Sequence, residues 1–231
     1  MMEQMPLETT TISPGNKSAS TNKISLTQAQ DELAEITNPQ TSLVIWQRQL
    51  QSTILDWLLH RAPETLPHGR VLAKHDQIEH AVASMFKAKQ KNDDEAAHML
   101  KHDIIQLAKR FAAIARGDHV DIRLEVIQHD ACRKFHLDNV ALRLVTTYFG
   151  KNTQYVMPEF NEQALREQSA YTGPLKTIPD QSVAIFKGAR ITPGDGIVHR
   201  SPPIEGTGQT RLFLCINTPS DVSPTPWQPD R

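Results

Sequence analysis

The chain has 231 residues, of which 39% are apolar, 22% charged and 6% aromatic. That is enough apolar material for a core and excludes a chain disordered throughout. Twenty-five basic against 26 acidic residues leave a formal charge of −1, which removes the electrostatic case for a nucleic-acid or anionic-membrane partner.

The N-terminal stretch has no basic segment followed by an apolar one, and no long apolar run follows it. Neither a signal peptide nor a membrane span is expected, and the cytoplasm is the default location. Cys132 and Cys215 form no CxxC pair, so a disulfide scaffold and a zinc-finger framework are both unsupported.

Residues 1–24, rich in Thr, Ser, Asn, Gly and Pro, read as a disordered tail. Ser25 to Gln28 has capping-box spacing, and Leu26, Ala29, Leu33 and Ile36 recur at helical intervals up to Asn38-Pro39, predicting a short opening helix. Ser42–Trp46 reads as a strand. Leu50, Ile54, Trp57 and Leu58 then mark one helix, and Ile78, Val82, Met85 and Phe86 a second. Leu100, Ile104, Leu107, Ala108, Phe111 and Ile114 mark a third, running from about Asp93 to Gly117.

From residue 118 the period changes to two. Val120, Ile122, Leu124 and Val126 alternate with charged residues. Further strands are predicted at Lys134–Asp138, Val140–Phe149, Thr153–Met157, Ser182–Lys187, Gly196–His199 and Arg211–Asn217, broken by Gly, Pro and Asn. The pattern reads as an α+β single domain over 25–217. Its mainly helical part, 25–117, forms a layer on an antiparallel barrel or sandwich core, 118–217, and a Pro-rich extended tail follows over 218–231.

The segment Cys132-Arg-Lys-Phe-His-Leu-Asp carries the chemistry. On an extended chain residues i and i+2 share a face, so His136 and Asp138 point the same way. An imidazole from another strand would complete a 2-His-1-carboxylate triad, which holds a divalent metal and leaves positions open on the far side. His199, at the end of a predicted strand, is the candidate third ligand. About a dozen positions later Arg211 opens an apolar strand, where a guanidinium can grip a carboxylate through two hydrogen bonds.

This order of residues over about 118–217 resembles the iron- and 2-oxoglutarate-dependent oxygenases built on a double-stranded β-helix. The resemblance implies a jelly-roll or cupin-like core, Fe(II) held by His136, Asp138 and His199, and 2-oxoglutarate as co-substrate. It also implies Arg211 as the anchor of the distal carboxylate, with Tyr148 as a candidate helper. The implied reaction is hydroxylation of a small molecule or a protein, with oligomeric state open. A cupin-like protein carrying zinc on the same ligands, without oxidation, is the alternative.

The Cys-Arg-x-Phe-His-x-Asp stretch (132–138), an Arg-Leu…Thr-Tyr-x-Gly stretch (143–150) and a His-Arg-Ser-Pro-Pro stretch (199–203) are similar to those of an uncharacterised bacterial family, domain of unknown function 1826, over about 40–217.

Other polar residues have plainer readings. His129 and Asp130 are adjacent and diverge on an extended chain, and His98 and His102 lack the Glu of an HExxH site. Arg143 and Arg200 are potential anion anchors, with surface ion pairing the plainer role for each, and Cys132 could be redox-active or a fourth ligand, with packing the plainer role. Gly188 and Gly194-Asp195-Gly196 read as turns that deliver His199.

Overall fold

In the computed structural model, which describes residues 23–86, 94–191 and 196–229, the first element is a strand where the sequence analysis expects a helix. Strand β1 (Lys23–Thr27) lies parallel to β2 (Thr41–Trp46). Leu26, assigned above to a buried helical stripe, is 58% exposed. After β1 the Thr27 hydroxyl accepts the Ala29 N–H at 2.9 Å in a local turn, and an uncapped 3-10 helix over Gln30–Thr37 follows and buries Leu33 and Ile36. Pairing with the free edge of β2 overrides a local helical preference of a few tenths of a kcal/mol per residue. The rest of the expected tail, 1–22, lies outside the described residues, as do Asp93, Gly194 and Asp195.

The other predicted helices form at their stripes. Helix α1 covers Ser52–Leu59 and, after strand β3 (Gly69–Lys74), α2 covers Ile78–Ser84 and α3 Glu95–Ala115. Strand β3 was not predicted, because its short apolar run Val71-Leu72-Ala73 shows no clear period.

The second half is rich in strands: β4 (His119–Ile127), β5 (Leu142–Phe149), β6 (Gln154–Tyr155), β7 (Lys176–Thr177), β8 (Val183–Lys187), β9 (His199–Arg200) and β10 (Arg211–Asn217). A short helix α4 (Asn161–Glu167) sits between β6 and β7. One seven-stranded sheet runs β1-β2-β8-β5-β10-β4-β3, and a three-stranded sheet runs β7-β6-β9. Strands β4, β5, β8 and β10 pair antiparallel, and the one parallel strand pair among the described residues, β1 with β2, lies in the part expected to be mainly helical.

The pleat gives the large sheet two different faces. Leu144, Tyr148, Leu212, Leu214 and Ile216 join the apolar side chains of α1, α2 and α3 in one core. Val145, Phe213, Cys215, Ala184 and Phe186 join Tyr155, Ile178 and Ile197 in a second core, on the side of the small sheet. The Pro-rich end is tied down: the Trp227 N–H donates to the Leu72 carbonyl at 2.7 Å beside a Leu72–Pro226 bridge.

Phe111 of α3 is fully buried in the first core. Phe111→Ala is expected to cost about 3–5 kcal/mol through lost transfer energy and a residual cavity, read as a shift in the urea midpoint at constant slope.

Candidate metal centre

His136 and Asp138 reach their places without a regular strand. The segment predicted as Lys134–Asp138 is extended and keeps one bridge, between His136 and His199. That bridge has the His136 N–H donating to the His199 carbonyl at 3.0 Å and the reverse bond at 3.1 Å. The two-residue period survives: Phe135 packs with Val156 and Val198 in a separate cluster, while His136 and Asp138 face the other way.

The chain beyond Asp138 is gripped by Gly188, whose N–H donates to the Ala141 carbonyl at 2.9 Å, while the Ala189 N–H donates to the Asp138 carbonyl at 2.8 Å. A Cβ on Gly188 would stand 2.0 Å from the Val140 carbonyl oxygen, so only glycine permits this approach.

One ligand atom from each of His136, Asp138 and His199 can be chosen so that all lie within 4.8 Å of one another. His199 Nε2 is 3.4 Å from Asp138 Oδ2, and His136 Nε2 is 3.6 Å from Oδ1. Each ring's other nitrogen faces a backbone carbonyl: His136 Nδ1 lies 2.8 Å from the Lys134 oxygen and His199 Nδ1 2.9 Å from the Ile197 oxygen. A carbonyl only accepts, so both Nδ1 atoms carry the proton, and in neutral rings both Nε2 atoms present lone pairs. Those lone pairs point at a carboxylate buried to 4% exposure, neither of whose oxygens receives a well-directed hydrogen bond among the described residues.

Converging acceptors in a dry place require a cation or protons between them. This donor set therefore fits a divalent metal, with the carbonyls holding the imidazoles in the tautomer that ligation needs.

The surrounding charges keep the carboxylate ionised: burial raises the Asp138 carboxyl, but the nearby His199 and His136 imidazoles and the Arg143 guanidinium hold it far below the ordinary carboxylate range. Burial lowers the His136 imidazole, and its contacts with Asp138 and the Lys134 carbonyl more than offset this and raise it. The Phe186 ring lies 4.5 Å from that of His199 and walls off its side of the site.

Arg211, the first residue of β10, has no exposed surface. Its Nη1 donates to Ser201 Oγ at 3.1 Å, its Nη2 reaches Thr147 Oγ1 at 3.5 Å, and its guanidinium lies over the Phe213 ring at 4.9 Å. Its Nε has no partner among the described residues, and no carboxylate pairs with it there. Burial pushes its pKa down to about 10. A guanidinium with only hydroxyls for company is a place prepared for an anion.

Tyr148 does not join Arg211. Along β5, Thr147 is on Arg211's side and Tyr148 on the opposite one, where its buried hydroxyl donates to Asp103 Oδ2 at 2.6 Å. Arg48 grips both oxygens of that same Asp103. The expected helper is thus a bolt between α3 and the sheet, displaced from the site by a single residue of pleat.

Sequence reasoning undervalued Arg143, whose Nη1 is 2.5 Å from Asp138 Oδ1. It also missed Ser201, Thr147 and Asn217, although the alternation of Arg143, Val145 and Thr147 was visible. Asp130 holds the site's outer loop, with Oδ1 accepting the N–H groups of Ile204 and Glu205 at 2.7 and 2.8 Å. Those bonds lower its pKa.

The family described as proteins of unknown function (DUF1826) matches residues 27–217. The chain belongs to that family. No curated protein matches it. Among solved structures, similarity is found to a Pseudomonas putida prolyl-4-hydroxylase, at 10% identity and TM-score 0.40, covering 80% of this chain and 95% of that one. It is also found to the Kdo hydroxylase KdoO, described as a non-heme Fe(II) alphaketoglutarate dependent dioxygenase, at 12% identity and TM-score 0.41, covering 75% and 78%. No helix among the described residues of this family member is long and apolar enough to cross a membrane.

Gly188→Ala drives a methyl group into the backbone that carries Asp138. The expected cost is roughly 1–3 kcal/mol of overpacking, measured by denaturant unfolding, and a wild-type midpoint would show that the close approach is not rigid.

Proposed function

We propose that the protein is a mononuclear non-haem iron enzyme that uses a 2-oxo acid of the 2-oxoglutarate kind and dioxygen to hydroxylate a substrate. The observation that carries this reading is the pairing of two features in one fold. Three ligand atoms from His136, Asp138 and His199 converge on one point beside the Arg143 guanidinium, and a buried Arg211 has no acidic partner among the described residues.

The core then reads as a double-stranded β-helix. Strands β4, β5, β8 and β10 lie adjacent in the large sheet, facing β6, β7, β9 and the extended His136 segment, with the helical first half backing the large sheet.

In this reading His136 Nε2, His199 Nε2 and a carboxylate oxygen of Asp138 hold Fe(II), which supplies the oxygen-activating chemistry when bound. The chain's own residues do the rest. The Lys134 and Ile197 carbonyls keep each Nε2 unprotonated and aimed. Arg211 receives the distal carboxylate of the oxo acid, and Thr147 and Ser201 hold the guanidinium in orientation. Phe186, Val145, Phe213 and Ala184 form the apolar surroundings that keep water out and strengthen the charge contacts.

The zinc-binding alternative uses the same three ligands and leaves Arg211 with nothing to do. A cytoplasmic location belongs to the same proposal, since Cys132 and Cys215 are free and Fe(II) needs a reducing compartment.

Anaerobic titration with Fe(II) and then 2-oxoglutarate tests the reading through the visible charge-transfer band of the chelate. Tight metal binding without that band would select zinc. Asp138→Ala is expected to abolish tight Fe(II) binding with the far-ultraviolet circular dichroism retained. Arg211→Ala is expected to weaken 2-oxoglutarate by roughly ten- to a hundredfold, the worth of hydrogen bonds to a charged group, with little change in metal affinity by calorimetry.

A further inference from the structure

Arg143 is held in a way that ordinary ion pairing does not explain. Two other arginine–aspartate pairs of this fold are forked onto both carboxylate oxygens. Arg48 donates to Oδ1 and Oδ2 of Asp103 at 2.5 and 2.9 Å, and Arg70 donates to Oδ1 and Oδ2 of Asp121 at 2.9 and 2.6 Å. Such a fork is the preferred geometry of the pair.

Arg143 meets Asp138 through Nη1, 2.5 Å from Oδ1, without a fork of hydrogen bonds onto both oxygens among the described residues. Its Nε is turned away and donates to Asn217 Oδ1 at 2.7 Å. Asn217 stands opposite Arg143 in the β5–β10 register, is 8% exposed, and its Oδ1 also receives the Cys215 thiol at 3.5 Å. The guanidinium is thus clamped from behind and lies closest to Oδ1, which also faces His136 Nε2 at 3.6 Å, while Oδ2 faces His199 Nε2 at 3.4 Å.

We propose that Arg143 is a positioning residue that confines Asp138 to ligation through Oδ2 alone, keeping coordination positions open for a chelating oxo acid at the expense of metal affinity. This rests on the metal-site reading above. In an octahedral site, two imidazoles and one carboxylate oxygen leave three positions, room for a two-toothed oxo acid and dioxygen. A two-toothed aspartate would take one of them. The device has an electrostatic cost, because a guanidinium beside a cation site repels the ion it helps to arrange.

The two effects have opposite signs, and that makes the inference testable with cobalt(II) as the probe, followed by its visible ligand-field bands. Arg143→Gln is expected to bind cobalt(II) on the order of tenfold tighter. Titrated into the cobalt-loaded protein, 2-oxoglutarate is then expected to bind on the order of tenfold weaker, within the range that outer partners of a ligating group control, and the cobalt bands are expected to change. Arg143→Lys keeps the charge without the rigid fork and falls between the two.

A residue that merely stabilised the fold would weaken both ligands or neither. Cobalt affinity that is unchanged or weaker, or unchanged oxo-acid affinity, therefore overturns the proposal. Should Arg143→Gln fail to fold, Asn217→Ala frees the clamped Nε with the charge in place. It is expected to give the same pair of opposite shifts at smaller size, and neither shift appearing also overturns the proposal. Wild-type protein that takes up no cobalt sinks the metal-site reading itself, an outcome seen before any variant is compared.

Discussion

The two-residue period of β5 and β10 is the constraint on which the rest depends. Leu144, Tyr148, Leu212, Leu214 and Ile216 meet the helices through one face of the pleat, and Arg143, Val145, Thr147, Arg211, Phe213 and Cys215 lie on the other. A slip of one residue in either strand would push a guanidinium into the helical core and turn leucines toward the site. The register is held by long antiparallel ladders on both sides of β10 and by the burial of the helix-facing residues, each contributing about 1.5–3 kcal/mol. Chemistry and stability are thus written on opposite sides of the same strands.

Unbalanced charge in a dry place is the second theme. Arg211 keeps its charge against full burial with only hydroxyls and an aromatic face around it. Asp138 keeps its charge beside the Arg143 guanidinium and two imidazoles whose Nε2 atoms face it. A fold selected for stability alone would replace such groups with apolar ones, often at no loss. The proposed function would give these groups partners, a cation for the triad and an anion for Arg211. The neighbouring ion pairs show the contrast: Arg48 with Asp103 and Arg70 with Asp121 are closed units with every carboxylate oxygen occupied.

Much of this was legible in sequence where one local period decides the matter. Strand β10 spans Arg211–Asn217 as its apolar run predicts, and the α3 stripe from Leu100 to Phe111 is buried as its spacing predicts. The failures have common causes. The opening helix was misread because Ser25 to Gln28 carries a good local cap, while the competing partner, the edge of β2, is distant in sequence until the chain folds. Tyr148 was placed one residue of pleat away from its real side. Arg143 looked like an ordinary surface charge, because nothing local says that Asp138 will lie against it. The segment Lys134–Asp138 was expected as a ladder strand and keeps one bridge, yet its alternation alone sufficed to aim His136 and Asp138 together.

Residue types and short-range periods by themselves determined the stripes of α1, α2 and α3, the strand-rich second half, the shared face of His136 and Asp138, and the candidacy of His199 and Arg211. These follow from backbone geometry over a few residues, which any such peptide obeys. Only the tertiary structure decided that His199 bridges His136, that the Lys134 and Ile197 carbonyls fix both imidazoles, that Arg211 is buried with no acid beside it among the described residues, and that Tyr148 belongs to the helices. Those outcomes depend on which distant strands pair and in what register, a choice made by burial of the whole core.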